Sequence, residues 1–104
     1  MGNISIKQWD IYIAEVWFED LPKSKLRPVI ILGDSIVTID CIKMTSQSPR
    51  PGEYQLQEWK AAGLHKPTTA RISKRLKLNP ENLKKRISSL EMIDILEIQK
   101  RLTV

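Results

Sequence analysis

The sequence is poor in the residues on which many functional sites depend. Its 104 residues include one cysteine, one histidine and four glycines. A single cysteine excludes a disulfide within the chain, and one cysteine with one histidine is too few for a zinc site in one chain. The four scattered glycines form no phosphate-binding loop. We therefore predict no metal and no cofactor.

Long apolar runs are also missing. No stretch approaches the roughly 18 residues that a membrane-spanning helix needs, and residues 1–5 lack the charged and apolar regions of a signal peptide. Cys41 stands between Ile39 and Ile42 in a run typical of a buried strand, which fits a free thiol in a reducing compartment. We expect a cytoplasmic protein with no membrane partner, folded as a single domain over residues 1–104.

Positive charge is what the sequence has in excess. The formal net charge is +5, and residues 60–86 hold nine basic residues against one acid, Glu81. This distribution favours a polyanionic partner, and nucleic acid is the leading class. A solvated basic face without a ligand is the alternative.

Alternating apolar residues and turn residues predict a mainly β protein of the α+β class. We predict a strand at 10–16, a mobile loop at 17–26, an antiparallel hairpin of 29–32 with 36–44, a short strand at 53–56, a helical turn at 57–62 and a strand at 68–78. Pro49 and Pro51 keep residues 46–52 on the surface.

Two helices are predicted to close the chain. Asn79 and Pro80 resemble a helix start, with Leu83 and Ile87 four residues apart, and Ser88 or Ser89 caps an amphipathic helix that runs to residue 102. Short strands followed by such helices indicate a small barrel-like sheet with helices packed on it.

Arg27 is the first candidate functional residue. Pro28 holds its backbone extended, so its side chain leaves a rigid element beside the predicted loop. The alternative is an arginine at a strand edge that pairs with Glu15 or Asp10. Thr45 and Ser46 follow the next strand, where they either bind a phosphate or only cap a turn.

Other side chains are weaker candidates. An apolar strand raises the pKa of a thiol, so a nucleophile built from Cys41 and His65 is disfavoured. His65 is either a general acid or base or a solvent-facing loop residue. The three tryptophans either stack on bases or anchor the core or an interface. They are Trp9, Trp17 and Trp59.

Several short motifs follow one another over residues 7–102. They are Trp9-Asp10-Ile11-Tyr12, Arg27-Pro28-Val29-Ile30-Ile31, Lys43-Met44-Thr45-Ser46-Gln47, Ala62-Gly63-Leu64-His65-Lys66-Pro67-Thr68, and Ile87 with Leu90 and Asp94. In order and spacing this set resembles the PemK/MazF family of toxins from bacterial type II toxin–antitoxin pairs.

The resemblance implies an SH3-like β-barrel with short helices and a C-terminal amphipathic helix. It also implies a homodimer, a metal-independent endoribonuclease (an mRNA interferase) that cleaves single-stranded RNA at short motifs, and a cognate antitoxin with which the toxin binds DNA. Arg27 matches the family's catalytic arginine and Thr45 its catalytic threonine, with Ser46 beside it. The family usually has glycine at the positions of Trp9 and Ser88, so we expect an altered turn at the first and an altered helix connection at the second.

Charge and chemistry complete the prediction. Arg27 stabilises the charge on the phosphate while Thr45 and Ser46 donate hydrogen bonds, and attack by the 2′-hydroxyl yields a 2′,3′-cyclic phosphate and a 5′-hydroxyl. Nine residues are expected to bind RNA: Lys25, Lys43, Gln47, Arg50, His65, Lys66, Arg71, Lys74 and Arg75. The loop at 17–26 is a candidate lid. The alternatives are a non-catalytic binding barrel and a toxin that inhibits a topoisomerase, as a related barrel family does.

Overall fold

The computed structural model describes residues 6–18, 20–34 and 39–103, which form six β strands and one α helix. The elements are β1 (Asp10–Trp17), β2 (Ser24–Asp34), β3 (Ile39–Thr45), β4 (Tyr54–Gln55), β5 (Thr69–Leu78), β6 (Leu83–Ser89) and α1 (Met92–Leu102), with a single 3₁₀ turn at Pro80–Asn82. In these ranges no helix has the length and apolar character needed to cross a membrane.

The strands form one antiparallel sheet in the order β4-β5-β3-β2-β1-β6. The prediction of a mainly β fold with a C-terminal helix is confirmed, as is the antiparallel pairing of the predicted hairpin. Gly33 and Asp34 belong to β2, and the start of the predicted second strand at 36–38 lies outside the described residues.

The sheet separates two apolar clusters because successive side chains of a strand point to opposite faces. Ile11 belongs to the first cluster, whereas Tyr12, Ala14 and Val16 belong to the second. The first cluster includes Ile98, so it is the one against which α1 packs. Cys41 is fully buried in the second cluster, which confirms its prediction as a core residue.

The predicted mobile loop at 17–26 is wrong in its extent. Trp17 ends β1 and pairs with Ser24, and Leu26 pairs with Glu15, so the ends of the predicted loop are paired strand. The backbone N–H of Phe18 donates to the carbonyl of Lys23, which closes a short connection between the strands. Charged residues and Pro22 marked the turn correctly, but cross-strand pairing extends both strands into it.

The first of the two predicted C-terminal helices is also wrong. Residues 83–89 form β6, which pairs with β1. A spacing of four places Leu83 and Ile87 on one face of a helix, but the open edge of β1 selects a strand. Register shifts interrupt the pairing of this strand with β1, and Ile87 packs against the first cluster while Leu83 packs against the second. Ser88 therefore lies in a strand rather than in a helix connection, and α1 begins after Glu91 instead of Ser88 or Ser89.

Gly63 brings the segment after β4 against β6. Residues 58–62 make one helical turn, closed by the bond from Ala62 N–H to the Glu58 carbonyl, and Gly63 ends it with φ of 83°. A Cβ atom at this position would lie 3.1 Å from Cγ2 of Ile87. Both the left-handed backbone and the close approach require glycine here.

Trp9 has a left-handed backbone with φ of 73°, a conformation that a bulky side chain rarely adopts. Its N–H donates to the carbonyl of Ile31 at 2.7 Å, and its carbonyl accepts from the N–H of Leu90 at 3.0 Å. The indole packs against the first apolar cluster. These contacts hold the tryptophan at the position where the motifs' resemblance implies that glycine is usual.

Candidate functional site

An open cleft of about 660 Å³ lies where β2, β3 and β6 meet the segment at 63–68. Arg27, Thr45 and Ser46, the three predicted catalytic residues, all line it. So do four of the nine predicted RNA-binding residues: Lys25, Gln47, His65 and Lys66. The cleft thus holds hydroxyl, guanidinium, imidazole and ammonium groups together.

Neighbouring strands supply Arg27 and Thr45 to the cleft. β2 and β3 pair residue for residue from Ile31↔Cys41 to Val29↔Lys43, so Arg27 and Thr45 each lie two residues beyond the last pair, on the same side of it. The two strands are no longer paired at this point, and both residues line the cleft.

Thr45 is held by the turn that follows it. Its Oγ1 accepts the N–H of Gln47 at 3.2 Å, and the carbonyl of Gln47 accepts the hydroxyl of the buried Thr69 at 2.8 Å. Thr45 therefore does cap the turn. Because Oγ1 acts there as an acceptor, its hydroxyl proton is left to donate into the cleft.

The alternative role for Arg27, a pairing with Glu15 or Asp10, is contradicted. Glu15 accepts the hydroxyl of Ser24 at 2.8 Å, and Asp10 pairs with Arg86 at 3.2 Å. Across the described ranges Arg27 forms no ion pair. It is half-buried, so its guanidinium is available to an anion in the cleft.

The other predicted RNA-binding residues are spread more widely. Lys43 and Arg71 line a second hollow, which adjoins the cleft at Arg27. Arg71 also donates from Nε to Glu53 at 2.9 Å. Arg50, Lys74 and Arg75 lie outside both spaces, and Arg75 lines a third hollow with Asp40 and Lys77.

The sequence prediction missed two cations of the cleft, Lys85 and Arg86, because it assigned their segment to a helix. Both line the cleft from β6. Arg86 donates from Nε and Nη2 to the almost fully buried Asp10, at 3.2 and 3.4 Å, and these bonds raise the pKa of the guanidinium. The sequence signal that could have identified them is the basic run at 84–86, which directly precedes the β-branched Ile87.

Cys41 and His65 do not form a nucleophilic pair. Cys41 lies in the second apolar cluster, its thiol points to the carbonyl of Ile39, and burial raises its pKa to about 12. His65 is exposed and lines the cleft. In the part of the chain that is described, no three His, Cys, Asp or Glu side chains group as metal ligands do.

The thiol of Cys41 should make unfolding sensitive to alkali. Its pKa is raised from 9.0 to about 12, so its contribution is complete below about pH 9 and is lost as the pH rises towards 12. The loss is at most about 1.4 kcal/mol per pH unit. Urea unfolding between pH 8 and 11 should show a smaller pH dependence in Cys41→Ala than in the parent. An equal dependence in both would contradict the burial of the thiol.

Solved structures resemble this fold at low sequence identity. An endoribonuclease from Mycobacterial species aligns with TM-score 0.71 and 10% identity over 92% of this chain and 86% of that one. An endoribonuclease in complex with its cognate antitoxin, also from Mycobacterial species, gives 0.74 and 11% over 95% and 92%. The Mycobacterium tuberculosis toxin MazF-mt6 gives 0.70 and 18% over 89% and 91%.

Sequence comparison is more decisive about the family. No curated protein matches the chain significantly. The model of the PemK-like, MazF-like toxins of type II toxin–antitoxin systems, in contrast, matches residues 7–104, nearly the whole chain. The resemblance in the motifs is confirmed by this match, and the protein belongs to the PemK-like, MazF-like toxin family.

Proposed function

We propose that this toxin is an endoribonuclease that cuts single-stranded RNA without a metal ion and is restrained by a cognate antitoxin. One observation carries the proposal: Arg27 and Thr45, on the neighbouring strands β2 and β3, line one open cleft rich in cations. Family membership supports the same activity, as do the endoribonucleases among the structures of similar fold.

The reaction needs a group that stabilises charge on phosphorus. In our proposal the 2′-oxygen attacks the phosphorus, the bond to the 5′-oxygen breaks, and the products are a 2′,3′-cyclic phosphate and a 5′-hydroxyl. The planar guanidinium of Arg27 binds two phosphate oxygens at once. The hydroxyls of Thr45 and Ser46 donate further hydrogen bonds to the same group.

Protons must also leave the 2′-hydroxyl and reach the departing 5′-oxygen. A guanidinium is a poor base, so Arg27 does not suit this task. We assign the transfers to His65, whose imidazole both accepts and donates protons and which lines the same cleft. Lys25, Lys66 and Lys85 are exposed cations along the cleft, and we assign them to the flanking phosphates.

We infer that the sheet curls into the SH3-like barrel that the family resemblance implies. β4 and β6 stand at the two ends of the sheet. The segment after β4 nevertheless approaches β6, since a Cβ atom added at Gly63 would lie 3.1 Å from Cγ2 of Ile87 and 3.6 Å from Cβ of Ser88. A flat sheet would keep its two ends apart, so this approach supports a curled one.

We propose that two copies of the chain associate through α1. Met92, Ile93 and Leu96 are 65%, 47% and 57% exposed, and their spacing places them in one stripe opposite the buried Asp94 and Ile98. Three large apolar side chains in one exposed stripe are typical of an interface.

Leu96→Glu should therefore convert a dimer to a monomer, because it places a charge in the apolar contact. Light scattering after gel filtration should give about twice the 12.0 kDa chain mass for the parent and that mass for the variant. Ser73→Glu adds the same charge to an exposed strand residue and should stay dimeric. Dimeric Leu96→Glu would contradict the proposed interface.

The antitoxin is the proposed protein partner. A structure of similar fold contains an endoribonuclease with its cognate antitoxin. The cations of the cleft suit an acidic segment of such a partner, which would exclude RNA by occupying the same space. Antitoxin should therefore inhibit RNA binding by the free toxin, and RNA should inhibit antitoxin binding.

Sequencing RNA 5′ ends after a brief pulse of expression tests the activity. We expect growth arrest with new 5′-hydroxyl ends at a short recurring motif. Methylation of the 2′-oxygen at the cut nucleotide should block cleavage in vitro, since that oxygen is the proposed nucleophile. Intact RNA with damaged DNA would favour a topoisomerase inhibitor, and normal growth would favour a non-catalytic binding barrel.

A further inference from the structure

A second hollow of about 440 Å³ adjoins the cleft. Arg27 and Met44 line both spaces, so these two residues lie at their common boundary. The other walls are formed by the C-terminal end of β1 and by residues of β3 and β5. The polar and aromatic residues around it are Trp17, Phe18, Asp20, Arg27, Lys43 and Arg71.

Positive charge predominates in this hollow. Neither Arg27 nor Lys43 forms an ion pair with any other described residue, whereas the charge of Arg71 is offset by Glu53 at 2.9 Å. Asp20 is the one acid among the residues that line it. Two unpaired cations against one carboxylate favour an anionic ligand.

Trp17 gives the hollow an aromatic surface. The side chain is 56% exposed although it belongs to a paired strand, while Trp9 and Trp59 pack against the first apolar cluster. An exposed indole beside cations is the combination that proteins use to bind single-stranded nucleic acid, because the ring stacks on a base while the cations hold the backbone.

We propose that the second hollow binds one nucleotide next to the cut, with its base stacked on Trp17 and its phosphate near Lys43. The inference rests on the proposed nuclease function, because Arg27 at the boundary would hold the phosphate that joins the two spaces. The volume of the hollow lies within the roughly 300–1,000 Å³ of typical ligand sites. This subsite would select which bases flank the cut.

A coupling experiment tests the stack. The probe is the shortest RNA that the parent cuts, together with versions in which each base beside the cut is replaced by an abasic sugar. At one position, base removal should raise KM for the parent on the order of 5- to 150-fold, the range for loss of one base–aromatic stack. Trp17→Ala should raise KM by a similar factor on the intact RNA.

On the abasic RNA, Trp17→Ala should have almost no further effect, because the stack is already lost. Trp17→Phe keeps an aromatic ring and should restore most of the affinity. Trp59→Phe, outside both spaces, should behave as the parent. If Trp17→Ala and base removal raise KM independently, so that their two factors multiply, the proposal is overturned. An unchanged KM with weaker antitoxin binding would instead make the hollow a protein-docking site, which also overturns it.

Binding separates this inference from the nuclease proposal. Anisotropy with a labelled 2′-O-methyl nonanucleotide of mixed sequence and its fully abasic counterpart measures stacking without cleavage. If the parent cuts no RNA but Trp17→Ala weakens binding of the intact probe alone, the subsite stands and the nuclease proposal fails. If the parent cuts RNA but Trp17→Ala weakens the binding of neither probe, the nuclease proposal stands and the subsite proposal fails.

Discussion

Arg27→Ala is expected to lower the rate of RNA cleavage by a factor on the order of 10² to 10⁴, the range for loss of a group that stabilises charge or transfers a proton in the transition state. The change removes a guanidinium from a residue that lines the cleft together with Thr45 and also lines the second hollow. Single-turnover cleavage of a short RNA measures the rate directly. KM should change much less than kcat, because the other cations of the cleft remain.

Two further variants sharpen the interpretation. Arg27→Lys keeps a positive charge but not the planar fork, so it should recover only part of the lost rate. Thr45→Ala should lower the rate as well, whereas Thr45→Ser keeps the hydroxyl and should stay near the parent. Arg27 forms no ion pair with the described residues, so thermal unfolding of Arg27→Ala should match that of the parent. Near-normal cleavage by Arg27→Ala would remove it from the proposed mechanism.

Asp94→Ala should destabilise the fold by about 3 to 5 kcal/mol, the largest stability effect that we expect from a single substitution. The fully buried carboxylate accepts the hydroxyl of Tyr54 and the backbone N–H groups of Gln57 and Glu58, the last two at 2.8 and 3.0 Å. Alanine leaves these three donors without an acceptor. Thermal unfolding should show a midpoint lower by at least about 12 °C.

Tyr54→Phe removes one donor and leaves the carboxylate with two, so it should cost only about 1 to 2 kcal/mol. Burial and the bond to Asp94 raise the pKa of Tyr54, so the hydroxyl stays a donor throughout the neutral range. If Asp94→Ala lowered the free energy of unfolding no more than Tyr54→Phe does, the bonds from the two backbone N–H groups would not contribute to stability.

The bonds of Asp94 also relate stability to the cleft. They fasten the start of α1 to residues 57 and 58, and the same segment continues through the turn at Gly63 to His65 and Lys66 in the cleft wall. We expect Asp94→Asn, which keeps the size of the side chain but loses one acceptor, to raise KM for RNA at temperatures where the protein is still folded. An unchanged KM would show that the bonds of Asp94 do not affect RNA binding in the cleft.

Local sequence patterns were sufficient for much of the fold. Alternating residues located β1, because a strand with one buried face repeats every two residues. Apolar and β-branched runs located the pairing of β2 with β3, and strand-forming residues located β5. The residues after Met44 marked the end of β3 at which Thr45 lies, whereas Arg27 lies inside β2, which begins at Ser24. The order of the motifs identified the family, since each motif needs particular residue types at that place in the fold.

Patterns failed where a distant partner decides the structure. The spacing of Leu83 and Ile87 is that of one helix face, but pairing with the edge of β1, about 70 residues earlier, makes the segment a strand in which the two side chains join different clusters. Lys85 and Arg86 were missed as cleft residues for the same reason. The extent of the loop after Trp17 was overestimated because pairing with Ser24 depends on the whole register of β1 with β2.

The amino-acid sequence by itself determined the family and the mainly β class, because local periodicity and motif order encode them, and it supplied Arg27, Thr45 and Ser46, which line the cleft. Tertiary structure alone decided that β6 completes the sheet, that Trp17 and Lys43 share a hollow with Arg27, and that Asp94 meets Tyr54. The physical reason is common to all three. Each joins residues far apart in the chain, and the free energy of such contacts comes from the assembled fold rather than from any short stretch of sequence.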